Sequence, residues 1–103
     1  MANISFKEFY DKLYYGVDME ILYQGNFLSL NSGWIQEPMN THSLSLYDWG
    51  AYQADGQPAV KCELLYEASN KDANENIDNF LAAKVIDGKS MGEIFDSISV
   101  LYS

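Results

Sequence analysis

The sequence predicts an α+β fold, in which an N-terminal helix precedes a four-stranded antiparallel meander sheet and two C-terminal helices pack on that sheet. Three observations predict it. Apolar residues recur at helical spacing near the start and after residue 70, alternate with polar residues in between, and turn residues separate the alternating segments. Because 103 residues contain no Pro-, Gly- or Ser-rich linker, one domain spanning 1–103 is expected.

The first helix is predicted to begin after Ser5 and to end near Tyr15. Ser5 is a favourable N-cap, and Glu8 stands three residues later, at the spacing of a capping box. Gly16 supplies the left-handed conformation that commonly ends a helix. The apolar residues at helical spacing are Phe6, Phe9, Tyr10, Leu13 and Tyr14.

A hairpin is predicted next, with strands over 19–24 and 27–31 joined by a Gly25-Asn26 turn. This turn pairs Tyr23 with Leu28 and Ile21 with Leu30 on one face. The opposite face then holds Leu22, Gln24, Phe27 and Ser29. The segment 34–40 has no clear period and contains Pro38, so it is interpreted as a loop that carries Trp34.

Two further strands complete the predicted sheet. In the third strand, His42, Leu44 and Leu46 alternate with Ser43, Ser45 and Tyr47, and the strand ends near Trp49. A turn at Asp55-Gly56 with Pro58 leads to a fourth strand over 60–67. Cys62 is expected on the apolar side of that strand, together with Leu64.

The C-terminal part is predicted to be helical. From residue 70 the period changes, with Ala73, Ile77 and Phe80 on one helix face. Val85-Ile86 links this helix to an Asp87-Gly88 turn. A second capping box, Ser90 with Glu93, begins a short last helix that contains Met91, Ile94, Phe95 and Ile98.

Charge excludes several functions. The chain has fifteen acidic residues, six lysines, no arginine and a formal charge of −9, so direct nucleic-acid binding is not expected. No stretch is apolar enough for a membrane span, and the acidic surface would be repelled by anionic lipids. A single cysteine and a start without a basic or apolar leader favour a cytoplasmic protein.

Motifs for cofactors and metals are incomplete, so none is predicted. Gly88-Lys89-Ser90 ends like a phosphate-binding loop, but the required earlier glycine is Ala83. The oxygen-bearing residues of 72–78 imitate half a calcium loop, but Ile77 occupies the position of its glycine. His42 as a general base is the alternative that would make the chain an enzyme, whereas its strand position favours a structural role. Cys62 is expected to act as a small apolar residue.

Aromatic and acidic residues are the candidate binding groups. Aromatic rings in or beside predicted loops can anchor a partner, and those rings are Trp34, Trp49, Tyr52 and Tyr15, of which Trp34 and Trp49 are the predicted anchors. The alternative is that these rings close the ends of the core. The carboxylates predicted to attract a basic protein surface are Asp72, Glu75, Asp78, Glu93 and Asp96. The alternative for these acids is solubility alone.

The segment 79–96, with a helix, an Ile86-Asp-Gly-Lys-Ser90 turn and a second helix, follows a Tyr-Gln-Gly hairpin. In these features the chain resembles small acidic proteins of phages and bacterial mobile elements, a mostly uncharacterised set that includes anti-CRISPR inhibitors. The resemblance implies inhibition of a nucleic-acid-binding defence protein, with carboxylates in place of DNA phosphates. It transfers no catalytic residue.

Together, these observations predict a non-enzymatic acidic interaction module whose partner is a basic protein surface. Within the resemblance, the expected role is that of a phage-encoded inhibitor. The alternative is a structural protein of a mobile element that forms a homodimer through an apolar sheet face. A small enzyme using His42 is the third hypothesis.

Overall fold

The computed structural model describes residues 2–35, 40–51 and 62–102, in which three helices accompany a five-stranded antiparallel sheet. The elements in chain order are α1 (Phe6–Tyr15), β1 (Met19–Tyr23), β2 (Asn26–Ile35), β3 (Thr41–Ala51), β4 (Glu63–Asn70), α2 (Ala73–Ala82), α3 (Met91–Ile94), a 3₁₀ turn (Phe95–Ser97) and β5 (Ser99–Tyr102). The strands are ordered β4-β3-β2-β1-β5 in space. The α+β class is confirmed, but the prediction of four strands is wrong because β5 adds to the free edge of β1.

Helix α1 has the predicted ends. Ser5 Oγ accepts a hydrogen bond from the Glu8 N–H at 3.1 Å, and Gly16 ends the helix with φ 80°. A Cβ at Gly16 would lie 3.1 Å from the Gly33 Cα in β2. Glycine is therefore required here both by its left-handed conformation and by the close approach of the next strand.

The hairpin turn lies one residue earlier than predicted. Gln24 and Gly25 occupy its centre with φ of 48° and 79°, so Tyr23 pairs with Asn26 and Ile21 pairs with Leu28. Positive φ at both central positions is the geometry of a type I′ turn, which matches the twist of the strands. The pairing partners change by two residues, so the predicted division between the two faces of the hairpin is kept.

Strand β2 is longer than predicted. Trp34 and Ile35 belong to β2 and pair with His42 and Thr41, so the interpretation of Trp34 as a loop residue is wrong. The Asn31-Ser-Gly33 segment lies within the strand. The predictions for Pro38, Tyr52, the Asp55-Gly56 turn with Pro58 and the first residues of the predicted fourth strand, 60–61, lie outside the described residues.

Strand β4 begins later than predicted, at Glu63. Cys62 precedes the strand and is exposed, so its expected place on an apolar side is wrong. The register with β3 shifts between Leu46 and Tyr47, and the consecutive residues Leu65 and Tyr66 both pack against the core. Leu64 consequently faces away from the core, which explains its 49% exposure.

The capping box at Ser90 and Glu93 is confirmed, but the helix it begins is shorter than predicted. Helix α3 has four residues and passes into the 3₁₀ turn and then into β5. Asn3 closes the outer edge of β5: its Nδ2 donates to the Val100 carbonyl and its Oδ1 accepts from the Val100 N–H, both at 2.8 Å. A side-chain amide thus takes the place of a neighbouring strand.

One apolar cluster joins the helices to a single face of the sheet. The buried side chains of this core are Phe9, Leu13, Met19, Ile21, Tyr23, Leu28, Leu30, Leu44, Leu46, Ile77, Phe80, Ile86, Met91, Ile94, Phe95, Ile98 and Val100. The strand residues in the cluster alternate with residues on the opposite sheet face, and in the part of the chain that the structure describes the buried cluster lies on one face.

Candidate interaction surface

Helix α2 carries three of the predicted acidic residues. Asp72 is its N-cap, and Asp72 Oδ1 accepts from the Glu75 N–H at 3.1 Å. Asp78 Oδ1 accepts from the Tyr10 hydroxyl at 3.1 Å, which fastens α1 to α2. Burial raises the pKa of the Tyr10 phenol, and the hydrogen bond to Asp78 raises it further. Asp72 and Asp78 therefore stabilise the fold, and Glu75 extends into solvent.

Glu93 and Asp96 lie after α2, at the α3 end of the helical layer. The Ser90 N–H donates to Glu93 Oε1 at 2.9 Å, and Lys84 Nζ donates to the same oxygen at 3.0 Å. These bonds lower the pKa of Glu93 to about 2. Asp96 lies on the 3₁₀ turn and is exposed. The five predicted carboxylates thus share the helical layer, and their partner-binding role stays a prediction.

Trp34 is half-buried on the helical side of the sheet. Its Nε1 donates to the Tyr14 carbonyl at 2.8 Å, and its ring packs edge-on against Tyr14 and His42. The indole thereby joins β2 to the end of α1. These contacts support a packing role, which was the alternative to a partner anchor.

Trp49 lies on the other side of the sheet, within β3 and not in a loop. Its Nε1 donates to Ser29 Oγ at 2.8 Å. Ser29 pairs with Glu20 and with Tyr47, and Tyr47 pairs with Leu64 across β4. Because the helices of the described residues pack on the opposite side, we call this side the helix-free face. Its residues used below are Glu20, Leu22, Ser29, Tyr47, Trp49, Leu64 and Glu67.

His42 is fully buried at the centre of a polar network. Its Nε2 lies 2.6 Å from the Leu13 carbonyl, and its Nδ1 lies 3.0 Å from Asn76 Nδ2. The carbonyl oxygen can only accept and the amide NH₂ can only donate, so the neutral tautomer with a proton on Nε2 fits both contacts. Asn76 Nδ2 also donates to the His42 carbonyl at 3.0 Å. The imidazole therefore ties α1, β3 and α2 together, which supports a structural role.

A cavity of about 170 Å³ lies at the hairpin end of the sheet. Its lining includes Tyr23, Asp48, Glu63 and Asp87 above the apolar Leu28 and Val85. A second, more open hollow lies beside Phe6 and Phe95. Within the described ranges, no group of three His, Cys, Asp or Glu side chains is arranged to hold a metal ion.

Several residues that hold this surface together were not predicted from the sequence. Tyr10, Asn76 and Asn3 form long-range hydrogen bonds, and a single sequence gives no signal for such bonds. The helix-free face did have a signal, because the hairpin pattern places Leu22 and Ser29 opposite the core. The β3 pattern likewise places Tyr47 opposite the core, but the pattern could not give Leu64, whose position depends on the shifted register between β3 and β4.

Searches of protein-family models, curated proteins and solved structures give no match to this chain. Among the described residues, no helix has both the length and the apolar character needed to cross a bilayer.

Proposed function

We propose that this chain is a non-enzymatic binding protein that uses its acidic surface to engage a basic surface of another protein. One observation carries the proposal. All eight carboxylates between residues 62 and 102 are exposed, and three lysines accompany them. Such a charge excess repels nucleic acid and attracts cationic protein grooves at long range.

The resemblance to phage and mobile-element proteins suggests the kind of partner. A bacterial defence protein that binds nucleic acid has a groove lined by Lys and Arg, and exposed carboxylates can occupy that groove in place of phosphates. We therefore propose that the chain acts as a phage-encoded inhibitor of such a protein.

Competition with DNA tests this function. CRISPR effector complexes bound to labelled duplex DNA would be titrated with the chain at low and at high ionic strength, with fluorescence anisotropy as the readout. The expected result is displacement of the DNA by the chain, with weaker displacement at high ionic strength. The proposal would be contradicted if the chain displaced DNA from none of the effector complexes, or if displacement were the same at low and high ionic strength.

A homodimer is the second candidate function, favoured by the apolar residues of the helix-free face. Leu64 is 49% exposed there, and Tyr47 and Trp49 are half-buried beside it. Sedimentation at several protein concentrations tests this candidate, since a dimer would sediment faster as concentration rises. A monomer at all concentrations would contradict it.

A further inference from the structure

We infer that the basic partner docks on the helix-free face, and that the docked surface has an apolar centre flanked by Lys or Arg side chains. This inference rests on the proposed function and specifies its contact surface. It differs from the sequence prediction, which assigned the contact to the acidic helices.

The helix-free face carries apolar side chains on three of its strands. They lie near the hairpin end of the sheet and are Leu22 on β1, Tyr47 and Trp49 on β3, and Leu64 on β4. The hydrogen bond from Trp49 to Ser29 holds the indole in one orientation. A ring that is already fixed loses little conformational freedom on binding, which is a property of strong interface anchors.

The charged strand residues of this face are acidic, because the strands of the described residues contain no lysine. Glu20 on β1 and Glu67 on β4 lie on the helix-free face, at opposite sides of the apolar area. A complementary surface consequently needs cations at its two sides and apolar residues between them.

In the helical layer, several charges already serve the fold, while Glu75 and Asp96 are exposed. Lys7 pairs with Asp11 at 2.9 Å, Lys84 pairs with Glu93 at 3.0 Å, and Asp72 caps α2. Carboxylates in such contacts have less to gain from a partner cation than those of the helix-free face.

A second copy of the chain fits this face less well than a basic partner. A two-fold interface between copies would bring the carboxylates at the sides of the apolar area close to those of the other copy. Each copy also carries a formal charge of −9. Repulsion therefore opposes the dimer, whereas the same charges favour a cationic partner.

The test uses a defined probe, a synthetic amphipathic helical peptide with leucines on one side and lysines on the other. A control peptide has the same composition, with the leucines dispersed around the helix. In the variant Trp34→Phe, Trp49 is the only indole and reports from the helix-free face. We expect binding of the amphipathic peptide to shift the fluorescence emission of Trp49 to shorter wavelength. The control peptide should bind more weakly.

Two pairs of substitutions with equal charge change separate the two surfaces. Glu20→Gln with Glu67→Gln should lower the affinity for the amphipathic peptide roughly ten-fold. Glu75→Gln with Asp96→Asn, on the helical layer, should change it less than about two-fold at moderate salt. Leu64→Ser should also weaken binding, whereas Tyr15→Ser, at a position 73% exposed on α1, should not.

The outcomes distinguish this inference from the function on which it rests. Equal effects of the two double substitutions, or equal binding of the two peptides, would overturn the inference about the docking face. The proposed function, salt-dependent binding through acidic residues, would still stand in that case. A dimer that buries Trp49 would overturn it as well. If neither peptide binds at low ionic strength, the proposed function itself is contradicted.

Discussion

At the scale of single residues, buried polar side chains join elements that are far apart in the sequence. His42 contacts Leu13 at the end of α1 and Asn76 in the middle of α2, and all its ring nitrogens have partners. Inside an apolar core each such hydrogen bond matters mainly because leaving one group unpaired is costly. The network therefore specifies how both helices sit on β3.

Asn76→Ala should lower the free energy of unfolding by about 2 kcal/mol, because it leaves the His42 Nδ1 and carbonyl oxygen buried without their donor. Urea unfolding followed by circular dichroism measures the change. Asn79→Ala, at an exposed position of the same helix, is the matched control and should have little effect. Equal losses in the two variants would show that the network does not stabilise the core.

Glu93 should make stability depend on pH. Its pKa is about 2 in the folded chain and 4.5 ordinarily, so folding favours the carboxylate. The stabilising contribution is complete above about pH 4.5 and is lost as the pH falls towards 2. The difference in urea midpoint between the native chain and Glu93→Gln should therefore shrink over that interval.

Lys84→Gln provides the control for Glu93. It removes the ion pair but keeps the bond from the Ser90 N–H, so part of the pH dependence should persist in this variant. A difference between the native chain and Glu93→Gln that stays constant down to pH 2 would contradict the assignment.

At the scale of elements, the sequence predicted what local chemistry specifies. The cap at Ser5, the stop at Gly16 and the box at Ser90 follow from residues within one turn of the chain, and the structure confirms them. The class of the fold also follows, because hydrophobic periodicity switches between helix and strand values.

Features that depend on distant contacts were missed. Gly25-Asn26 and Gln24-Gly25 both suit a tight turn, and only pairing along the whole hairpin selects the second. Trp34 remains in β2 because Tyr14 and His42 hold it, despite the turn residues before it. Ile98 continues the helical spacing of Ile94 and Phe95, and the strand β5 that follows it forms through pairing with β1.

Asn3→Ala should open the outer edge of β5. The variant loses both hydrogen bonds to Val100, and we expect a loss of roughly 1–2 kcal/mol in unfolding free energy. Hydrogen exchange at the Val100 amide should also accelerate. Asn3→Asp keeps the acceptor for the Val100 N–H and should retain protection of that amide. Unchanged exchange in Asn3→Ala would rule out the edge-closing role.

At the scale of the whole molecule, the excess of negative charge acts on the stability of the fold. A formal charge of −9 opposes a compact state through self-repulsion. Most carboxylates that make hydrogen bonds stabilise the helices, while Glu20 and Glu67 lie on the helix-free face. The hydrogen-bonded carboxylates of the helices and these two glutamates thus lie on different sides of the sheet.

Moderate sodium chloride should raise the stability of the chain, because screening weakens this self-repulsion more than it weakens exposed ion pairs such as Lys7–Asp11 and Lys84–Glu93. Urea midpoints at increasing salt measure the effect. Glu20→Gln with Glu67→Gln should be more stable than the native chain at low salt and gain less from added salt. A midpoint that falls as salt is added would contradict this view of the charge.

The position of β5 beside β1 has a consequence for biogenesis. As the polypeptide leaves the ribosome, Ile21 emerges early, but its neighbour Val100 emerges only after all the other strands. Until then one edge of β1 lacks its partner strand, and a nascent chain with an unpaired strand edge can associate with strands of other chains. Closure of the sheet is therefore a late event that joins distant parts of the sequence, which places this domain among those expected to mature slowly.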